Sequence, residues 1–371
     1  MPGKTVRFLA ERWKGQKMTE KEQRFQRDMD RIAEDPSIEW EKLRGKTVLI
    51  TGATGLIGKF LVRALVYKSR KDSLGIKILA LTRSREKAEK MFAGEREVCA
   101  DLKFLVGNVE DLPAVEGDVD FVIHGASQTS SRAFVNEPVE TIRTAVCGTA
   151  NVLQLAEEKK VSGFVYLSSM EVYGAPQTDE KITEDRGTDL DTMAVRSSYP
   201  ESKRMCECLC SSYCEEYGVP AKILRLTQTF GPGVSYEDTR VFAEFARCAL
   251  EQKDIVLHTR GGTKRSYLDV TDAVRAILIV LLRGKEKEAY NAANEESYCS
   301  IYEMAVMVAE NFGKQKIRVR CEVTENIQGF GYAPELHMNL DTKKLQELGW
   351  RPGVSLKDTF ERMIWEMEQK E

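Results

Sequence analysis

The chain has 371 residues, 42% of them hydrophobic and 30% charged, a balance that supports one large buried core with a smaller lobe and excludes wholesale disorder. Its formal net charge of −3 provides no global positive field to gather nucleic acid or anionic lipid, so a phosphorylated ligand has to be met locally.

The first 45 residues are charged throughout and read as one or two amphipathic helices ending at Asp35-Pro36. They lack the unbroken apolar run of a secretion signal. The longest apolar stretch elsewhere, residues 273–282, is interrupted by Arg275 and is too short to cross a bilayer. These features lead to the expectation of a cytoplasmic protein without a membrane segment. Residues 1–45 form a helical extension laid over the core, with a docking arm or oligomer contact as the other reading.

Next, residues 46–50 (KTVLI) read as a buried strand, 51–58 as a glycine turn and 56–70 as a helix. Further strands are expected at 76–83, 102–107, 119–127, 163–169 and 220–226, with helices at 85–94 and 139–160. Short apolar runs alternating with helices predict an α/β fold, a Rossmann-type doubly wound parallel sheet covered on both faces. Residues 46–230 are expected to form this Rossmann domain, to which segments around 255–295 return. Residues 231–371, richer in glycine, proline and polar residues, form mainly a smaller C-terminal α/β substrate lobe.

Cys206, Cys208, Cys210 and Cys214 crowd one segment. At helical spacing Cys206, Cys210 and Cys214 share a face and no histidine is near, so they read as reduced packing residues and no metal is expected.

The turn Thr51-Gly52-Ala53-Thr54-Gly55-Leu56-Ile57-Gly58 has its glycines directly after a strand and directly before a helix, as a dinucleotide fingerprint requires. Gly52 permits the tight turn, Gly55 lets backbone N–H groups reach a pyrophosphate, and Gly58 lets the helix pack closely. Thr54, Leu56 and Ile57 complete the cradle at the helix N-terminus. The second strand ends in Leu81-Thr82-Arg83 with no acid for a ribose hydroxyl. Arg83 either pairs with a 2′-phosphate or is a solvated loop residue, so NAD is the expected cofactor and NADP stays open. Asn108 and Val109 are placed beside the adenine.

Tyr199 and Lys203 lie four residues apart in YPESK. A phenol with a pKa of about 10 is a poor base at neutral pH unless a cation stabilises its phenolate. Pro200 at a first helical position would put Lys203 on the same face, one turn on. Ser169, at a strand end, is positioned to bond the same substrate hydroxyl. His124 reads as a strand-end packing residue and Tyr173 as structural, while Ser127, Gln128 and Thr129 begin a loop bordering nicotinamide and sugar.

Together TGATGLIG, YLSSMEVYG, YPESK and RSYLDVTD resemble the extended short-chain dehydrogenase/reductases, the NAD-dependent sugar epimerase/dehydratase group, over roughly residues 46–365. Within it, FVNEPVETIRTAVCGTANVLQLA, VRSSYPESKRMCE and RLTQTFGPGVSYEDTRVFAEFARCAL are most similar to UDP-glucuronate decarboxylases. The resemblance implies a nucleotide-sugar substrate, a homodimer, and Ser169, Tyr199 and Lys203 as the catalytic triad, with Tyr199 and Lys203 also touching the cofactor. It also implies Glu171 at the reacting sugar, and Arg240 and Arg265 near the diphosphate and sugar.

Two residues depart from that pattern. Met170 stands where the decarboxylases carry serine and the 4,6-dehydratases an aspartic general acid, and a thioether cannot donate a proton. Glu244 stands where asparagine is usual. The leading expectation is oxidation of the sugar C4 hydroxyl to a 4-keto intermediate followed by decarboxylation. A 4-epimerase is the alternative, followed by an NADPH-dependent sugar reductase and a non-catalytic cofactor-binding regulator.

Overall fold

A computed structural model describes residues 18–314, 316–323 and 335–369. The first 17 residues of the expected extension fall outside this range, as do residues 324–334 of the C-terminal lobe.

The chain begins with α1 (Glu20–Ala33), β1 (Thr47–Thr51), α2 (Leu56–Lys71), β2 (Lys77–Thr82), α3 (Arg85–Met91), α4 (Ala93–Val98) and β3 (Leu102–Val106). It continues through β4 (Phe121–His124), α5 (Ser131–Asn136), α6 (Pro138–Glu158), β5 (Gly163–Ser169), α7 (Ser198–Tyr217) and β6 (Ala221–Leu226). After these come β7 (Gln228–Phe230), α8 (Val241–Glu251), β8 (Ile255–Leu257), β9 (Lys264–Asp269), α9 (Val270–Arg283), β10 (Ala289–Ala292) and β11 (Asn294–Ser300). The last elements are α10 (Ile301–Phe312), β12 (Val319–Cys321), β13 (His337–Met338), α11 (Lys343–Glu347) and α12 (Leu356–Glu368).

Seven strands form one sheet in the order β10-β6-β5-β4-β1-β2-β3, every neighbouring pair parallel. Val48, Ile50, Ile78, Ile123 and Val165 join one core, and Leu49, Leu79, Val122 and Phe164 the other. This is the period-two alternation of a strand. Both faces are covered, which is why these strands read as continuous apolar runs. On the first face lie α2 and α9 with α1 laid across them, and on the second α6 and α7, whose Cys206 and Cys210 are buried packing residues.

The apolar stretch at 273–282 is the inner length of α9, whose apolar residues all lie in the first core. The helix expected at 85–94 is broken at Phe92 into α3 and α4. Helix α1 opens with a capping box between Thr19 and Glu22 and is tied down by charge as well as by Met29 and Ile32. Arg362 pairs with both Asp28 at 2.7 Å and Asp269 at 2.8 Å, and Arg275 binds Asp35 at 2.6 Å.

After β6 the chain leaves the large sheet at Thr227 and enters a smaller one, in which β7, β11 and β13 all pair with β9. Around Phe230, Phe242, Phe245, Met304 and Phe360, helices α8, α10 and α12 close a separate core. Because Ser169 is in register with Leu226, the crossing at Thr227 sets this lobe directly beside the end of β5.

Candidate functional site

The strand order reverses between β1 and β4, and in doubly wound sheets the crevice at such a point takes the ligand. Here Gly52 has φ +72°, and a Cβ on it would lie 2.8 Å from the Gly125 carbonyl oxygen, so the turn passes the end of β4 in backbone contact. A Cβ on Gly58 would lie 2.2 Å from the Gly52 carbonyl oxygen, which shows that α2 rests on the turn itself rather than only on the sheet.

Gly55 is the N-cap of α2 and supplies no side-chain cap, leaving the N–H groups of the first turn, Leu56, Ile57 and Gly58, free to meet an anion. Half-buried Thr54 precedes them. An uncapped helix N-terminus reached through a turn too tight for side chains fits a dinucleotide pyrophosphate. Exposed Arg83 directly follows β2, while exposed Asn108 and buried Val109 follow β3. Since these strands are parallel, all three residues share the edge occupied by the glycine turn. Val109 is committed to packing on Gly148, and its carbonyl accepts from Asn151 at 3.0 Å.

His124 ends β4 fully buried. Its Nδ1 lies 2.7 Å from Thr51 Oγ1 and its Nε2 lies 3.0 Å from Thr149 Oγ1. Thr51 Oγ1 already accepts from the N–H groups of Gly125 and Ala126, both at 3.1 Å, so its own proton goes to Nδ1 and the ring proton sits on Nε2. Burial, with the Lys203 charge adding, holds this histidine down to about 3. It is a neutral spacer between the glycine turn and α6. In the loop that follows, the side-chain oxygen of Gln128 accepts from the N–H groups of Thr129 and Ser130 at 3.0 and 3.3 Å, with Ser127 half-buried and Thr129 exposed.

Ser169, Tyr199 and Lys203 come together at the C-terminal end of β5. The Ser169 hydroxyl is close enough to the Tyr199 phenol to favour its ionised form, and its oxygen accepts from Glu171 N–H at 3.2 Å. Helix α7 starts at Ser198, two residues before Pro200; the proline still falls in the first turn, where its missing N–H costs nothing. Lys203 Nζ donates to the Leu167 carbonyl at 2.7 Å and lies 4.7 Å from the Tyr166 ring centre and 5.7 Å from that of Tyr199. Burial pulls it down to about 8. The Tyr199 phenol is pushed well up by burial and then by the Glu171 carboxylate, against the Ser169 hydrogen bond and the Arg196 charge. In the folded chain Tyr199 is therefore a neutral phenol, and burial outweighs the acidifying effect expected of a lysine one turn away.

Two site neighbours escape motif reading. Phe134, on α5, stacks on Tyr199 with ring centres 4.2 Å apart and planes 11° from parallel. Arg196, in the turn before α7, pairs with Glu171 at 2.9 Å and lies 4.9 Å over Phe134. For Arg196 a signal was available, an arginine three residues ahead of Tyr199; for Phe134 there was none.

Among the remaining expected residues, Arg240 is the N-cap residue of α8, and its guanidinium is held by Asp238 at 2.6 Å and stacked on Phe242. Arg265 stands on β9 with Nε buried and without a hydrogen-bond partner. Glu244 is exposed on α8. Met170 is buried in the cluster with Val172, Ile182 and Leu340, its sulfur 3.2 Å from Thr227 Oγ1, whose proton goes to the Ser266 carbonyl. Tyr173 donates to Asn291 at 2.7 Å and accepts from Arg225 at 2.8 Å, a structural role.

Residues 48–293 match the model of the NAD dependent epimerase/dehydratase family. The chain is 30% identical over 312 residues to UDP-glucuronic acid decarboxylase 6 of Arabidopsis thaliana, covering 84% of this chain and 85% of that protein. Identity to the human dTDP-D-glucose 4,6-dehydratase is 27% over 341 residues, 86% of this chain and 89% of that one. The fold is shared with the UDP-glucuronic acid 4-epimerase of Bacillus cereus, solved in complex with NAD, at a TM-score of 0.69 and 20% identity over 87% of this chain and 99% of that one.

Proposed function

This chain belongs to the NAD-dependent epimerase/dehydratase family, and on that premise we propose that it oxidises the C4 hydroxyl of a nucleotide-linked sugar, UDP-glucuronate foremost, and releases the C6 carboxylate as CO₂. The observation that carries this reading is the convergence of Ser169, Tyr199, Lys203 and Glu171 at the end of β5, beside the uncapped N-terminus of α2. Bound at the glycine turn through Gly52, Thr54, Gly55, Leu56, Ile57 and Gly58, NAD supplies the acceptor and later the donor of the C4 hydride.

The residues of the chain handle the proton. Ser169 Oγ fixes the C4 hydroxyl against Tyr199 Oη, and Tyr199 takes its proton once the positive charges of the loaded site offset burial and Glu171. Lys203 keeps a charge next to the phenol. The product ketone is β to the C6 carboxylate, so the C5–C6 bonding electrons pass into an enolate as CO₂ departs. A proton from solvent goes to C5, and as the hydride returns to C4 Tyr199 gives its proton back to the C4 oxygen, which leaves a pentose and no net redox change. Loss of water from C6 has no acid at position 170, where Met170 is buried against Thr227. Arg265, with its orphaned Nε, is the residue for the nucleotide diphosphate or sugar. Arg240 joins it only if Asp238 releases the guanidinium.

The test is purified protein with UDP-glucuronate, read by mass spectrometry. A UDP-pentose with CO₂ supports decarboxylation. An isomer of unchanged mass would convert the proposal to 4-epimerisation, and the absence of any new sugar would remove both. No helix among the described residues is long and apolar enough to cross a membrane; a cytoplasmic homodimer is part of the same proposal.

A further inference from the structure

Glu171 and Arg196 face each other at 2.9 Å at the rim of the site, their side chains 28% and 24% exposed. Arg196 gives one terminal nitrogen to Glu171, its Nε is buried without a hydrogen-bond partner, and its flat face rests on Phe134, which in turn rests on Tyr199. A guanidinium carries five N–H donors in a planar fork, and one carboxylate engages at most two of them. Donors beyond those Glu171 engages are therefore left at this rim, linked to the Tyr199 phenol through Phe134.

On a hexose ring the C5 substituent is attached one carbon from C4. A carboxylate there would come up beside Glu171, and two carboxylates sharing a poorly solvated site repel unless a cation lies between them. Of the other cations, Lys203 donates to Leu167 and Arg240 is clamped by Asp238, which leaves Arg265, with its buried and unpartnered Nε, as the competing candidate. A neutral hydroxymethyl group would need no such cation.

We propose that Arg196 determines specificity for a sugar bearing a carboxylate at C5, its guanidinium bridging Glu171 and that carboxylate. The inference rests on the reading that Tyr199 acts at C4. It gives the Glu171–Arg196 pair a purpose beyond holding Phe134: the ion pair stores the cation where a uronate needs it, and the substrate carboxylate shares it.

The experiment is isothermal titration of NAD-loaded protein with UDP-glucuronate, UDP-glucose and UDP, for wild type, Arg196→Gln, Arg196→Lys and Arg265→Gln, each first checked by thermal melting. Wild type is expected to prefer UDP-glucuronate to UDP-glucose by about tenfold or more. Arg196→Gln should lose about thirtyfold in affinity for UDP-glucuronate while UDP-glucose and UDP change by less than about threefold. Arg196→Lys, which keeps the charge and is the fallback if the glutamine variant misfolds, should recover part of the preference. Equal losses for the acidic and neutral sugars in either Arg196 variant would reduce Arg196 to a prop for Phe134 and overturn the proposal. A preference kept in the Arg196 variants and lost in Arg265→Gln would assign the carboxylate to Arg265 instead. A wild type that binds UDP but does not distinguish the two sugars would remove the underlying uronate reading, whatever the variants do.

Discussion

Phe134 lies flat on Tyr199, ring centres 4.2 Å apart, and its carbonyl accepts from the Ser198 hydroxyl at 2.8 Å. The short helix after β4 therefore sets both the start of α7 and the plane of the phenol. Phe134→Ala should cost about 3 kcal/mol of stability and reduce kcat about tenfold by loosening the phenol. Phe134→Leu, which keeps the volume but not the stacking plane, should restore most of the melting temperature and less of the rate. Unfolding curves and initial rates on the same preparations separate the two effects.

Tyr199→Phe removes the only atom of that side chain able to take the C4 proton. Turnover should fall about 10²–10⁴-fold, while NAD binding, which the proposal assigns mainly to the glycine turn, should change by less than about threefold. A single-turnover measurement of nicotinamide reduction at 340 nm checks this, and the absorbance rise should vanish with turnover.

Lys203 is drawn by burial from its usual 10.5 to about 8. Its charge is therefore lost in the free enzyme as pH rises through about 8, and kcat/KM should carry a falling limb there. Arg stays charged, so Lys203→Arg should lift the limb out of range even if the rate is lower. The stability effect has a separate sign. Between about 8 and 10.5 the unfolded chain keeps this proton and the folded chain does not, so Lys203 makes stability rise with pH in that window.

Asp28, on α1, behaves in the opposite sense. Burial, exceeding the pull of Arg362, raises it from 3.8 to about 6. Between those values the folded chain holds a proton the unfolded chain lacks, so this group lowers stability as pH rises from about 4 to 6. Asp28→Asn, which keeps Arg362 paired with Asp269, should gain about 1 kcal/mol relative to wild type on moving from pH 5 to pH 8. Urea denaturation at the two pH values measures it, and a difference of the reverse sign would contradict the assignment.

Gly58→Ala should be the most damaging of the glycine replacements. Its new methyl would meet backbone at 2.2 Å, from Gly52, and nothing flexible is there to yield. A loss of about 1–3 kcal/mol and of detectable NAD binding is expected, the first by thermal melting and the second by titration calorimetry.

Much of the fold was legible because its signals are local. Strand, glycine turn and α2 are contiguous, and the parallel strands announced themselves as apolar runs because both faces are covered. Tyr199 and Lys203, within one short motif, and Ser169, at a strand end, carried local signals as well. What the chain brings together from a distance was not. Phe134 reaches Tyr199 only through the loop after β4, and α9 had no polar face to betray its helical period because it is buried nearly all round. The resemblance placed Arg240 near the diphosphate, and it did not reveal that Asp238, two residues away, holds the guanidinium. The burial that raises the Tyr199 phenol was not legible from spacing, because desolvation depends on packing that no four-residue interval reveals.

The most direct measurement is incubation of the purified, NAD-loaded protein with UDP-glucuronate, following product mass and nicotinamide absorbance together. The account predicts conversion to a species lighter by one CO₂, no net NADH, and loss of both product and transient absorbance in Tyr199→Phe. Stoichiometric consumption of a reduced cofactor, or a Tyr199→Phe variant as active as wild type, would contradict it.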